Sequence, residues 1–92
     1  MTNRNEIEQR VLEILIDILD VKAEQVRPQA ALIRDLGASS IDLVEISTAL
    51  QNLFDIEVDD VEASRLVTVD DAISFVELSL RRKETSIANN AN

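Results

Sequence analysis

Ser39 and Ser40 stand side by side, two residues after the chain's only glycine, Gly37, and immediately before Ile41-Asp42-Leu43-Val44-Glu45. A serine nucleophile for hydrolysis needs a neighbouring base and an oxyanion hole, and the chain has no His to supply that base. If Ser39 is an N-cap and Asp42 the third helical residue, Ser40 becomes the first residue inside a helix. Its side chain then lies at the helix mouth and not in the core. Unpaired backbone N–H groups and a partial positive charge at that mouth would stabilise a phosphodiester on the Ser40 oxygen. The segment suits a phosphate ester made by another enzyme better than it suits catalysis.

Two other constellations fare worse. Asp55, Glu57, Asp59 and Asp60 alternate like calcium ligands, but an EF-hand loop beginning at Asp55 would place Asp60 at the obligatory glycine and Leu66 at the bidentate glutamate. Paired carboxylates are plentiful, yet a glycosidase with no Trp or Tyr to line a sugar cleft is not supported. The absence of Cys and His removes disulfides, thiolate or imidazole metal sites and thiol nucleophiles. No metal and no catalytic residue are expected.

The charge distribution points to protein partners. From Asp35 to Ser64 there are eight acids (Asp35, Asp42, Glu45, Asp55, Glu57, Asp59, Asp60 and Glu62) and no Lys or Arg, while the remainder is nearly balanced within a net charge of −9. Such a surface repels nucleic-acid backbones and anionic membranes and attracts basic proteins. No apolar run approaches the roughly 18 residues that cross a bilayer, and the polar start is no secretory signal, so the cytoplasm is the expected setting.

The elements that must carry this segment follow from apolar periodicity. Ile7, Val11, Ile14, Leu15 and Ile18 recur at helical spacing between about Asn5 and Leu19, with Asn3 or Asn5 as cap. A long connection, Asp20–Ala38, carries Val21, Val26, Leu32, Ile33 and Leu36 as anchors pinning it across the core. A second helix is predicted over Ser40–Phe54 with Leu43, Ile46, Leu50, Leu53 and Phe54 inward, which turns Ile41 and Val44 outward among Asp42 and Glu45. An apolar patch rimmed by acids, with Glu57, Asp60 and Glu62 nearby in sequence, is a docking site for a basic partner with a hydrophobic socket. Asp59–Ser64 reads as a short third helix. Thr68 caps a last one running through Ala72, Ile73, Val76, Leu78 and Leu80 to about Lys83, where Arg81, Arg82 and Lys83 offset its dipole. With one Gly and one Pro, the fold is all-α: three main helices and one short helix, a single domain over residues 1–83, and a disordered tail over 84–92.

Asp35-Leu36-Gly37-Ala38-Ser39-Ser40-Ile41 resembles the D-L-G-x-D-S-L signature of acyl carrier proteins, and the resemblance extends from about Asn5 to Leu80. Val44-Glu45-Ile46, Phe54 with Asp55-Ile56-Glu57-Val58, and Thr68-Val69 support it. It implies an acyl-carrier-like bundle with a long loop between its first two helices. It implies too that a phosphopantetheinyl transferase places 4′-phosphopantetheine from coenzyme A on Ser40, and that acyl or aminoacyl groups ride the arm as thioesters. Partners would include ligases, ketosynthases or acyltransferases of fatty acid, polyketide or specialised biosynthesis, docking at Ile41, Asp42, Val44, Glu45, Glu57, Asp60 and Glu62. In relatives the cargo can slip between the helices, which makes Leu50, Phe54, Ile56 and Ala63 the expected cavity positions.

The sequence departs from the family pattern at Ser39, where Asp is usual, and at Ile41, where Leu is usual. Gln51, Asn52 and Leu53 stand where fatty-acid carriers often have more acids, which points to a dedicated carrier in a specialised pathway. The alternative is an unloaded carrier-like domain acting only as an assembly module, with Ser39-Ser40 as a simple helix cap.

Overall fold

The computed structural model describes residues 3–90. Four α-helices follow in the order α1 (Arg4–Leu19), α2 (Ser40–Phe54), α3 (Asp60–Ser64) and α4 (Val69–Asn90), with a single 3-10 turn at Ala23–Gln25 in the first connection. The all-α expectation, three main helices and one short helix, is borne out.

Each helix start is fixed by a side chain. Asn3, not Asn5, caps α1 by accepting from the Glu6 N–H at 2.9 Å. Asp59 accepts from Glu62 at 2.8 Å at the head of α3, and Thr68 accepts from Asp71 at 3.1 Å at the head of α4. Each cap satisfies an N–H that the first helical turn leaves without a partner.

α1 packs against α2 and α4, and α2 also against α3 and α4. Ile7, Val11 and Leu15 of α1, Ile46 and Leu50 of α2, and Val69, Ala72, Ile73 and Val76 of α4 are closed from solvent between them. The apolar stripes thus meet in one aliphatic core.

The long connection is held both by anchors and by backbone. Val26, Leu32 and Leu36 are buried, whereas Ile33 stands exposed, a correction to its reading as an anchor. Leu32 N–H donates to the Val67 carbonyl at 2.8 Å and Val69 N–H to the Ala30 carbonyl at 3.0 Å, tying the connection to the entry of α4. Such cross-chain pairing leaves no periodic trace within the segment, so the sequence did not reveal which aliphatics point inward.

Two inward assignments on the helices also change. Leu53 of α2 is 45% exposed and Leu78 of α4 is exposed, while Ser47, a polar residue, takes a buried position on α2. α4 does not end near Lys83 but runs to Asn90, since residues 84–90 contain neither Pro nor Gly to stop it. Arg81, Arg82 and Lys83 therefore lie within the helix and not in its last turn. The Lys83 ammonium instead reaches the C-terminus of α2, donating to the Asp55 carbonyl at 3.0 Å and to its carboxylate at 2.6 Å.

Candidate functional site

The site is assembled by a closed turn that delivers Ser39. Ala31 N–H donates to the Asp35 carboxylate at 2.7 Å, Gly37 N–H to the Ile33 carbonyl at 3.1 Å and Ala38 N–H to the Leu32 carbonyl at 2.9 Å. Gly37 takes φ +74°, a left-handed conformation open to glycine at no steric cost. Ala38 is buried, so the chain is anchored one residue before the cap.

Ser39 and Asp42 form a reciprocal capping box. The Asp42 N–H donates to Ser39 Oγ at 3.1 Å, and the Ser39 N–H donates to Asp42 Oδ2 at 2.9 Å. Ser40 is then the first helical residue and is exposed, with no hydrogen-bond partner for its hydroxyl among the described residues. The N–H groups of Ser40 and Ile41 likewise have no partner among those residues, leaving the positive end of α2 open beside the oxygen.

Apolar side chains flank it. Ile41 is 72% and Val44 64% exposed, as the helical phase requires when Ile46 and Leu50 face the core. Glu45 is exposed beside them, whereas one oxygen of Asp42 is committed to the cap. Asp60 joins this side across the α2–α3 groove with Val44 and Thr48. Glu57 and Glu62 do not: they line a separate recess with Arg82 and Lys83.

Comparison with known proteins sets this geometry in a family. The family model for a phosphopantetheine attachment site matches residues 9–76. An acyl carrier protein of Nitratidesulfovibrio vulgaris (strain DSM 19637 / Miyazaki F) is 41% identical over 70 residues, which cover 76% of this chain and 92% of that protein. The chain belongs to the acyl carrier protein family.

As a member, this carrier bears a covalent 4′-phosphopantetheine and transports acyl groups as thioesters. That arm supplies the thiol which a chain without cysteine lacks. The head of α2 fits such a group: an accessible hydroxyl, unpaired N–H groups beside it and no side chain competing for the oxygen. Acyl carrier proteins work with a phosphopantetheinyl transferase and with biosynthetic enzymes. Among the described residues no helix is long and apolar enough to cross a membrane, and no three acids gather as a metal site.

The expected cavity positions of this carrier divide. Ala63 lines the groove between α2 and α3 and a second one beside Ile33 and Val67, but Leu50 and Phe54 are sealed in the core, and Ile56 borders the polar recess beside Arg82. The burial of Ser47 escaped the sequence reading, and from sequence Lys83 figures only as offsetting the dipole of the last helix. Ser47 is buried with an unpaired hydroxyl, and Lys83 ties α4 to α2. Ser47 carried a signal, since it lies one heptad after Ser40 and so on the same face.

Proposed function

We propose that residues 1–83 form the carrier unit and that Ser40 Oγ is the atom to which the phosphopantetheine arm is joined. The supporting observation is the exposed, unpartnered hydroxyl at the open N-terminus of α2, inside the stretch matched as a phosphopantetheine attachment site. Asp35-Leu36-Gly37 builds the turn, Ser39 and Asp42 hold the helix start, and the unpartnered N–H groups of Ser40 and Ile41 stabilise the phosphodiester charge. With no His in the chain and no base on Ser40 among the described residues, the transferase takes the hydroxyl proton.

Ile41, Val44, Asp42, Glu45 and Asp60 form the docking surface for basic partners, with Glu57 and Glu62 contributing from the recess on the α4 side. Aliphatic contact supplies the affinity and the acids steer the approach. The partners are ligases, ketosynthases or acyltransferases of a dedicated biosynthetic pathway in the cytoplasm, a reading supported by the low acid content of Gln51-Asn52-Leu53. Incubation with coenzyme A and a broad-specificity transferase, followed by intact-mass spectrometry, tests the attachment. The chain gains one phosphopantetheinyl group and Ser40→Ala gains none; an unchanged wild-type mass, or modification of the variant, refutes it.

A further inference from the structure

The groove between α2 and α3 has a volume of about 400 Å³, with Leu43, Val44 and Ser47 on one wall and Val58 and Ala63 on the other. Its polar side chains are nearly all engaged. Thr48 donates to the Val44 carbonyl at 2.9 Å, Gln51 accepts from the Val58 N–H at 3.1 Å, and Ser64 donates to the Val61 carbonyl at 2.6 Å. Asp60 has no side-chain hydrogen bond among the described residues but is exposed to water, whereas Ser47 is only 7% exposed and its buried hydroxyl has no hydrogen-bond partner among those residues.

A hydroxyl in that position is a poor choice for packing alone. It is desolvated without compensation, and alanine or valine would fill the same place without that penalty. Seven residues separate it from Ser40, so it lies within about 20° of the same helical face and about 10 Å further along the axis. The phosphopantetheine arm is longer than this separation, so an arm that bends back on itself brings its acyl chain along Val44 and Leu43 to Ser47.

We infer that Ser47 is a specificity-determining residue that binds an acyl cargo bearing a hydroxyl or keto oxygen along its chain, in the groove between α2 and α3. The inference deepens the carrier reading and rests on attachment at Ser40. An oxygenated chain entering the groove completes the Ser47 hydrogen bond. A plain alkyl chain of the same length offers no partner and leaves the already buried hydroxyl unpaired, so the hydrogen bond gained discriminates between the two.

The test uses the full chain loaded with octanoyl-phosphopantetheine or with its 3-, 5- or 7-hydroxy forms, each verified by intact mass and by loss of loading in Ser40→Ala. Thermal unfolding of the loaded proteins is then compared. At least one hydroxy form is expected to unfold about 4–8 °C above the octanoyl form, the shift that one net hydrogen bond gives in a domain of this size. Ser47→Ala abolishes that difference and Ser47→Thr, which keeps a hydroxyl, retains it. Equal midpoints for all four loaded wild-type forms, or a gain that persists in Ser47→Ala, overturn the role of Ser47 while leaving the attachment intact. Failure of the wild type to load overturns the attachment itself, and the cargo assignment with it.

Discussion

The Lys83 ammonium lies 2.6 Å from the Asp55 carboxylate and 3.0 Å from the Asp55 carbonyl, so a cation from the middle of α4 closes the C-terminus of α2. Asp55 sits there with φ +54°, and its N–H already donates to the Gln51 carbonyl. The hydrogen bond and charge of Lys83 hold the Asp55 carboxyl below its ordinary value of 3.8. Because the folded value is depressed, the pair's contribution is full above pH 3.8 and is lost as pH falls through the lower folded value. Asp55→Asn keeps a residue tolerant of the left-handed backbone but removes the charge. Thermal scans from pH 2 to 7 are expected to show the variant slightly less stable at neutral pH, with the gap closing in acid and in 1 M salt, since the pair is exposed.

Gly37 offers a cleaner backbone test. A Cβ there would meet nothing within 4 Å, so any cost of Gly37→Ala comes from φ +74° and not from crowding. Urea unfolding is expected to show a loss of about 1–2 kcal/mol with an unchanged slope. Gly37→Asn should lose less, because asparagine tolerates the left-handed region.

The capping box explains why serine serves in place of the more usual aspartate at position 39. Either side chain offers an oxygen to the Asp42 N–H, as Ser39 does at 3.1 Å. Ser39→Ala is expected to cost about 1 kcal/mol, and Ser39→Asp to remain within a few tenths of the wild type. Equal losses in both variants, measured by denaturant unfolding, would show that the helix start is held by something else.

How much was legible in the chain divides along a physical line. α2 was readable to its ends, Ser40 and Phe54, because local caps and a strong apolar phase agree there, and so was the outward turn of Ile41 and Val44. Leu53 was misread because a hydrophobic run at the end of a helix offers more aliphatics than the neighbouring helices have room to cover. Ser47 went unnoticed because burial of a small polar residue depends on α3, a neighbour formed by later sequence. Leu50→Ala, which empties a fully buried position, should destabilise by about 2–5 kcal/mol, against about 0.5 kcal/mol or less for Leu53→Ala. Similar losses at both positions would mean that Leu53 packs inward in solution.

Ile41 separates folding from recognition. At 72% exposure beside Ser40 it contributes almost nothing to the core, so Ile41→Glu should leave the thermal midpoint nearly unchanged. If the transferase seats this side chain in an apolar socket, the added carboxylate must be desolvated there without a partner, and kcat/KM for loading of Ser40 falls about tenfold or more. Val44→Glu, 64% exposed on the next turn of the same face, should act in the same direction. Glu45→Gln should instead alter the salt dependence of the rate, because a charge at the rim steers approach and packs against little. Loading kinetics at two ionic strengths therefore distinguish socket from steering, and a wild-type rate for both glutamate variants would remove this face of α2 from the transferase interface.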